Sequence, residues 1–170
     1  MEKLWSPWRT QYIDSFKHRD KNKKEPCVLC ELAGENPEGH DNLLVDKGKL
    51  TFTVLNLYPY NNGHLMIVPF RHTSDFSSLI KDEKIEVMDK LQLAEEALRI
   101  VSSPEGFNIG ANIGRVSGAG IDSHIHFHIV PRWNGDTNFM PVLGEVKIIS
   151  QDLLDTKKKL FEAYNKLKQR

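Results

Sequence analysis

One segment, residues 124–130, alternates histidine with large apolar side chains in the order HIHFHIV. Successive side chains of a strand point to opposite faces of a sheet. The alternation therefore predicts a strand over Ser123–Val130, with all three histidines on one face and the apolar residues on the other. A hydrophobic core is not built from three imidazoles. We therefore interpret the histidine face as a functional site and the apolar face as part of the core.

Two kinds of chemistry suit this histidine face. Each two-residue step of a strand advances about 6.5–7 Å, so the backbones of His124 and His128 should lie about 13 Å apart. Because zinc–nitrogen bonds are only about 2.0–2.1 Å long, all three histidines would reach one metal ion only if the strand bulged. The alternative is nucleophilic catalysis, since a histidine titrates near pH 6.5 and its neutral imidazole can attack phosphorus. The three histidines are therefore best divided between metal binding and nucleophilic catalysis.

The remaining pattern predicts an α+β fold with a largely antiparallel sheet, because strands occur in adjacent runs. The other predicted strands are Leu43–Val45, Leu50–Leu55, Leu65–Val68 and Phe107–Ile113. Two amphipathic helices are predicted over Lys81–Ser102 and Gln151–Lys168. The apolar side of the first includes Ile85, Met88, Leu91, Leu93, Ala94, Leu98 and Val101, and that of the second includes Leu153, Leu154, Leu160, Phe161 and Leu167.

The chain has two cysteines, spaced as Cys27-x-x-Cys30. Two cysteines do not form a disulfide framework, and this spacing occurs in zinc sites, but one such pair supplies only half of the ligands. Three interpretations follow: a zinc site completed by histidines, reduced thiols without a metal, and a redox pair. The flanking residues do not indicate the strand–CxxC–helix setting of a redox pair.

Composition and charge exclude some functions. Lys+Arg and Asp+Glu number 23 each, so the basic excess typical of a general nucleic-acid binder is missing. No apolar run approaches the roughly 20 residues that span a bilayer, and residues 1–9 lack the apolar region of a signal peptide. We therefore predict a cytoplasmic protein that binds neither nucleic acid nor membrane. The aromatic segment with Trp5, Trp8 and Tyr12 is predicted to contact a second subunit.

The pattern of residues 124–130 resembles the signature of the histidine triad (HIT) superfamily of nucleotide hydrolases and transferases. The chain is most similar to the bacterial diadenosine tetraphosphate phosphorylase-like branch, in the stretches 4–9, 54–60, 63–69 and 131–139. The resemblance implies a HIT-like fold with a five-stranded sheet and two main helices. It also implies a single domain over 1–170, comprising an N-terminal extension (1–42), a HIT core (43–133) and a C-terminal segment (134–170).

The resemblance also implies roles for individual residues. By the family pattern His126 attacks the α-phosphate and becomes a covalent nucleotidyl-histidine, and His128 contacts the phosphate and the leaving group. His64 supports this network, Asn56 holds the ribose hydroxyls with Leu57 against the base, and Asn112 contacts phosphate.

This chain departs from the pattern at one position. Many relatives carry glutamine four residues before the first histidine of the triad, whereas this chain has Gly120. The missing polar contact to phosphate is expected from Ser117, Ser123 or the backbone N–H groups of the glycine-containing loop, which includes Gly118. That loop matches neither a Walker A nor a GxGxxG pattern.

In zinc-containing members of the superfamily, two histidines complete a metal site that begins with a pair of cysteines. The matching residues of this chain are Cys27 and Cys30 for the cysteines and His72 and His124 for the histidines. The resemblance therefore implies a structural zinc ion. It further implies an enzyme that acts on an adenine nucleotide such as diadenosine tetraphosphate, by phosphorolysis to ADP and ATP, with a divalent cation such as Mg²⁺ as a further cofactor. Related proteins are homodimers or larger. The alternatives are a dinucleoside polyphosphate hydrolase, a nucleoside phosphoramidase and a non-catalytic nucleotide-binding protein.

Overall fold

The structure is a computed structural model that describes residues 27–137, 149 and 151–169. The chain divides into two compact units, Met1–Pro26 with Thr137–Ile148 and Cys27–Asp136 with Ile149–Arg170. All the elements given below belong to the second unit. The aromatic segment around Trp5 lies outside the described residues, and the assignment of 1–170 to a single domain stays a prediction.

A five-stranded antiparallel sheet in the order β1-β2-β3-β5-β4 forms the centre of the second unit. The strands are β1 Leu44–Lys47, β2 Thr51–Leu55, β3 Leu65–Pro69, β4 Gly106–Gly110 and β5 Phe127–Arg132. The helices are α1 Val28–Gly34, α2 Lys81–Ser102 and α3 Leu153–Lys168, with 3-10 turns at Phe76–Ser78 and Arg115–Ser117. The predicted α+β class, five-stranded sheet and two main helices are confirmed.

The two faces of the sheet have different coverings. Alternate residues of β3 show this, since Leu65 and Ile67 belong to the core cluster with α2 and α3, whereas Met66 and Val68 belong to the cluster with α1. Each such side chain contributes about 1.5–3 kcal/mol when it is fully buried. His128 pairs with Met66 across the ladder, so its side chain lies on the α1 face. The functional histidines and α1 therefore share one side of the sheet.

The buried stripe of α2 is rotated from the predicted one. Ile85 is 49% exposed and Met88 is 60% exposed, although both were predicted to face the core. The buried apolar residues of α2 are instead Val87, Leu91, Ala94, Ala97 and Leu98. On α3, Leu154 is likewise exposed. An apolar residue at the edge of a helical stripe therefore does not decide which face packs on the sheet.

The histidine segment is only partly a strand. Ladder pairing with β3 begins at Phe127, and β5 therefore excludes His124 and His126, which the alternation placed on it. The backbone N–H of Ile125 donates to the carbonyl of Thr73 at 2.7 Å, a partner in a loop. Ladder bonding is thus replaced by a loop contact at the start of the segment. The prediction of one regular strand over Ser123–Val130 is wrong at this end.

Among the described residues, no helix is long and apolar enough to cross a bilayer.

Candidate functional site

His126 is buried and is held by the main chain of its own segment. Its Nδ1 lies 2.8 Å from the carbonyl oxygen of His124. Because a carbonyl oxygen only accepts, Nδ1 carries the hydrogen, and in the neutral ring the lone pair is then on Nε2. Burial lowers the pKa of His126, although the bond to the His124 carbonyl opposes this shift. The arrangement therefore presents a neutral imidazole whose Nε2 has no hydrogen-bond partner among the described residues, which is the form required of a nucleophile.

A second chain of hydrogen bonds fixes the tautomers of His64 and His128. The backbone N–H of Tyr60 donates to Nδ1 of His64 at 3.0 Å, so this nitrogen accepts and Nε2 carries the hydrogen. Nε2 of His64 then donates to Nδ1 of His128 at 2.9 Å. In neutral His128 the hydrogen is consequently on Nε2, and this N–H is available to an acceptor.

Burial keeps both of these histidines neutral. It lowers the pKa of His64 to about 3, with the nearby charges of His128 and His126 acting in the same direction. Burial, with a smaller effect of His126, lowers the pKa of His128 to about 4. At neutral pH the two rings are therefore uncharged, and the tautomers above are those that the hydrogen bonds select.

The position of Nε2 of His128 indicates a ligand. This atom is buried without a hydrogen-bond partner among the described residues. The rings of His126 and His128 lie 4.8 Å apart, edge to face. The neutral imidazole of His126 therefore lies next to a ring whose N–H lacks an acceptor in the part of the chain that the structure describes, and a buried unpaired donor costs roughly 1–3 kcal/mol. A substrate that offers an electrophilic phosphorus and a neighbouring oxygen would satisfy both groups.

His64 owes its place to a tight turn. Gly63, the residue before it, has φ +75, a backbone conformation that residues with a side chain rarely adopt. A Cβ at this position would also lie 3.0 Å from Cδ2 of Leu98 on α2. The turn signal Asn61-Asn62-Gly63 therefore has a structural purpose, since it starts β3 with His64 aimed at His128.

Cys27, Cys30, His72 and His124 form a second cluster on the same side of the sheet. One ligand atom from each residue lies within 4.8 Å of the others. Nδ1 of His124 is 3.5 Å from Sγ of both cysteines, and Nδ1 of His72 is 3.3 Å from Sγ of Cys30. Zinc bonds of about 2.3 Å to sulfur and 2.0–2.1 Å to nitrogen, in a tetrahedral arrangement, place these atoms about 3.5 Å apart. The four residues therefore fit a zinc ion.

The orientation of His124 supports the metal assignment. Its Nε2 lies 2.9 Å from the carbonyl oxygen of Pro69, so Nε2 carries the hydrogen and Nδ1 faces the sulfurs with its lone pair. A metal-binding histidine usually donates its other ring N–H in this way. Cys27 directly precedes α1 and Cys30 lies in its first turn, so a short helix holds both thiols.

The structure brings two predicted nucleotide contacts close to the histidines. Nδ2 of Asn56 lies 3.3 Å from Nδ1 of His64, and Oδ1 of Asn56 accepts the backbone N–H of Tyr58. Nδ2 of Asn112 donates to the hydroxyl oxygen of Tyr60 at 3.2 Å. Leu57, next to Asn56, is exposed. The roles of Asn56, Leu57 and Asn112 in binding nucleotide stay predictions.

The predicted phosphate loop lies beside Asn112. Gly118 has φ +92, and a Cβ there would come within 4.0 Å of Nδ2 of Asn112. The hydroxyl of Ser117 donates to main-chain oxygens of its own loop, at 2.6 Å and 3.0 Å. Gly120 and Ser123 are exposed. The roles of all four loop residues in binding phosphate stay predictions.

Tyr60 is the residue of this region that the sequence prediction missed. Its ring centroid lies 4.6 Å from that of His64 and 5.6 Å from that of His128. The signal was the aromatic pair of Tyr58-Pro59-Tyr60 in a loop that joins two buried strands. Exposed aromatic residues on a loop held by a rigid sheet are typical of binding sites.

The sheet and the histidine arrangement are those of the HIT domain family, to which this chain belongs. The family's model matches residues 37–135. Over 161 residues the chain is 40% identical to an "AP-4-A phosphorylase" of Mycobacterium tuberculosis, which covers 94% of this chain and 83% of that protein. The predicted family and branch are confirmed, and the chain is an enzyme.

Two further comparisons agree with this placement. An uncharacterized HIT-like protein of Methanocaldococcus jannaschii is 32% identical over 127 residues, which is 74% of this chain and 93% of that protein. Among solved structures, a Zn-bound histidine triad family protein from Mycobacterium smegmatis superimposes with a TM-score of 0.67 and 25% identity. That alignment covers 84% of this chain and 96% of the neighbour.

Proposed function

We propose that this enzyme transfers a nucleotidyl group from a dinucleoside polyphosphate, such as diadenosine tetraphosphate, through a covalent intermediate on His126. One observation carries the proposal: the ring of His126 lies 4.8 Å from that of His128, whose Nε2–H has no hydrogen-bond partner among the described residues. The 40% identity to a protein named for the phosphorolysis of this substrate supports the choice of substrate and reaction.

The reaction proceeds in two displacements at the α-phosphorus. Nε2 of His126 forms a bond to phosphorus, and the bond from phosphorus to the bridging oxygen breaks, so that ATP leaves with the electron pair. His128 donates a hydrogen bond from Nε2 to the leaving oxygen. An oxygen of inorganic phosphate then attacks the same phosphorus, the phosphorus–nitrogen bond breaks, and ADP is released with His126 regenerated. Water in place of phosphate would yield AMP.

Three groups of contacts hold the substrate in this proposal. Asn56 binds the ribose hydroxyls and Leu57 lies against the base. Asn112 contacts the phosphates, and His64 supports His128 through the hydrogen bond described above. The loop residues that line the phosphates are Ser117, Gly118, Gly120 and Ser123.

We also propose that Cys27, Cys30, His72 and His124 hold a structural zinc ion. The Cys₂His₂ donor set and the spacing of its atoms support this metal. Four protein ligands leave no open position, so the ion would tie α1 to the start of the histidine segment and take no part in the chemistry. The homo-oligomer and the cytoplasmic location stay predictions.

Product analysis tests the proposed reaction. The full chain is incubated with diadenosine tetraphosphate, with and without inorganic phosphate and with and without Mg²⁺, and the nucleotides are separated. We expect ADP and ATP only when phosphate is present. Formation of AMP and ATP without phosphate would identify a hydrolase. If the chain turns over a nucleoside phosphoramidate and not diadenosine tetraphosphate, it is a phosphoramidase. If it binds nucleotide and turns over neither substrate, it is a non-catalytic binding protein.

A further inference from the structure

Tyr60 contacts the candidate site through its backbone, its ring and its hydroxyl, and the reaction described above assigns no role to the ring or the hydroxyl. Its backbone N–H sets the tautomer of His64. Its ring lies against both His64 and His128. Its hydroxyl oxygen accepts from Nδ2 of Asn112, and the side chain is still 47% exposed. Hydrogen bonds fix the backbone N–H and the hydroxyl of Tyr60, and about half of the residue is exposed to solvent, so it is suited to contact a ligand.

The hydroxyl of Tyr60 can donate a hydrogen bond to a ligand. A phenolic oxygen both accepts and donates, and here the acceptor side is used by the amide of Asn112. The hydrogen of the same hydroxyl therefore points away from Asn112. The hydroxyl of Ser117, also beside Asn112 in the loop, has its hydrogen shared between two main-chain oxygens. Of these two hydroxyls, Tyr60 is the one with a hydrogen to give.

The order of the rings indicates which part of a substrate Tyr60 would meet. The ring of His126 lies 4.8 Å from that of His128, and the ring of Tyr60 lies 5.6 Å from His128. In an in-line displacement the leaving group departs opposite the nucleophile. The rings of His126 and Tyr60 therefore both contact the ring that would bind the leaving oxygen, and the phosphates that follow this oxygen are the part of a substrate that the hydroxyl of Tyr60 could meet.

We propose that Tyr60 is a further catalytic residue, whose hydroxyl donates a hydrogen bond to the phosphate chain of the leaving nucleotide. The proposal rests on the function proposed above. No proton is transferred: the phenol stays neutral and the hydrogen bond stabilises the negative charge that grows on the leaving chain. The ring, in contact with both imidazoles, also limits access of water to the bond between His64 and His128.

The variant Tyr60→Phe removes the hydroxyl and retains the ring and the backbone N–H. With diadenosine tetraphosphate we expect kcat/KM to fall roughly ten- to hundredfold, as is typical for the loss of one hydrogen bond to a charged group. With adenosine 5′-phosphoramidate, which has no phosphate beyond the α-phosphorus, kcat/KM should stay within about twofold. Equal losses on both substrates, or no loss on either, would overturn the proposal.

Tyr164→Phe is the matched control. Tyr164 is buried in the cluster with α2 and α3, on the other face of the sheet, so removal of its hydroxyl should leave both kcat/KM values unchanged. This control separates a local effect at the site from a general effect of losing a phenol.

A binding measurement keeps the proposal testable if the native chain does not turn over diadenosine tetraphosphate, a result that would refute the proposed function alone. ATP and AMP are titrated into His126→Ala and into the double variant His126→Ala/Tyr60→Phe. Removal of the hydroxyl should weaken ATP binding roughly tenfold and leave AMP binding unchanged, since only ATP has phosphates beyond the first. Equal ATP affinities would reject the role of Tyr60.

Discussion

His124 and His126 are two residues apart, both are buried, and they have opposite tautomers. His124 donates from Nε2 to the carbonyl of Pro69 and directs Nδ1 at two sulfurs. His126 donates from Nδ1 to the carbonyl of His124 and leaves Nε2 free. In both rings a backbone oxygen selects which nitrogen keeps its lone pair. The nitrogen that each of these two histidines presents therefore depends on the carbonyl that its ring contacts.

The largest effect is expected from removal of the His126 ring. His126→Ala should lower kcat for diadenosine tetraphosphate by at least about 10³-fold, because the nucleophile is lost. No acid-labile adenylyl-enzyme should be trapped by quenching this variant, whereas the native chain should yield one. His40→Ala, which removes an exposed histidine, serves as the control and should retain normal turnover. Normal turnover by His126→Ala would remove the assignment of this residue as nucleophile.

The metal cluster should respond differently. His72→Ala and Cys30→Ser each remove one proposed ligand, and the purified variants should contain little zinc, whereas the native chain and His40→Ala should contain about one ion per chain. Because a structural site stabilises the fold, Tm should drop by roughly 10 °C. Metal analysis and calorimetry measure these effects. Full zinc content in both variants would show that the four residues are not the ligand set.

The smallest expected effect is the dependence of stability on pH. The folded pKa of His64 is about 3 and that of His128 about 4, below the ordinary 6.5 of an unfolded chain. Between these values the unfolded chain binds more protons, so the stabilisation is complete above pH 6.5 and is lost as the pH falls toward 4. The free energy of unfolding should decrease by up to about 1.4 kcal/mol per pH unit for each histidine.

Chemical denaturation between pH 7 and pH 5 measures this slope. His64→Asn should show a shallower slope than the native chain, since one group that is neutral only in the folded state has been removed. A His64→Asn slope equal to that of the native chain would contradict the assignment of a neutral, buried His64.

Much of the fold followed from local sequence patterns. The helix predicted over Lys81–Ser102 has these ends in the structure, because charges and apolar residues recur at helical spacing over its whole length. The strand after it, predicted to reach Ile113, ends at Gly110, where the ladder partner is His128. The ends of strands depend on partners that are distant in the chain, and periodicity carries no information about them.

The candidate site was predicted in its residue types but not in its local geometry. Alternation placed His126 on a strand, whereas the segment bonds to a loop at Ile125 and joins the ladder only at Phe127. Nothing in the alternation shows which carbonyl each imidazole meets. Tyr60 was missed for a related reason: its contacts with Asn112 and His128 join segments that are distant in the sequence.

The carbonyl that orients His126 belongs to the peptide unit of residue 124 and is present whatever side chain that position carries. Natural selection could therefore replace the imidazole at 124 and both cysteines without removing the acceptor on which the nucleophile depends. The two sites overlap in one residue but use different atoms of it, the ring of His124 in the cysteine cluster and its carbonyl oxygen beside His126.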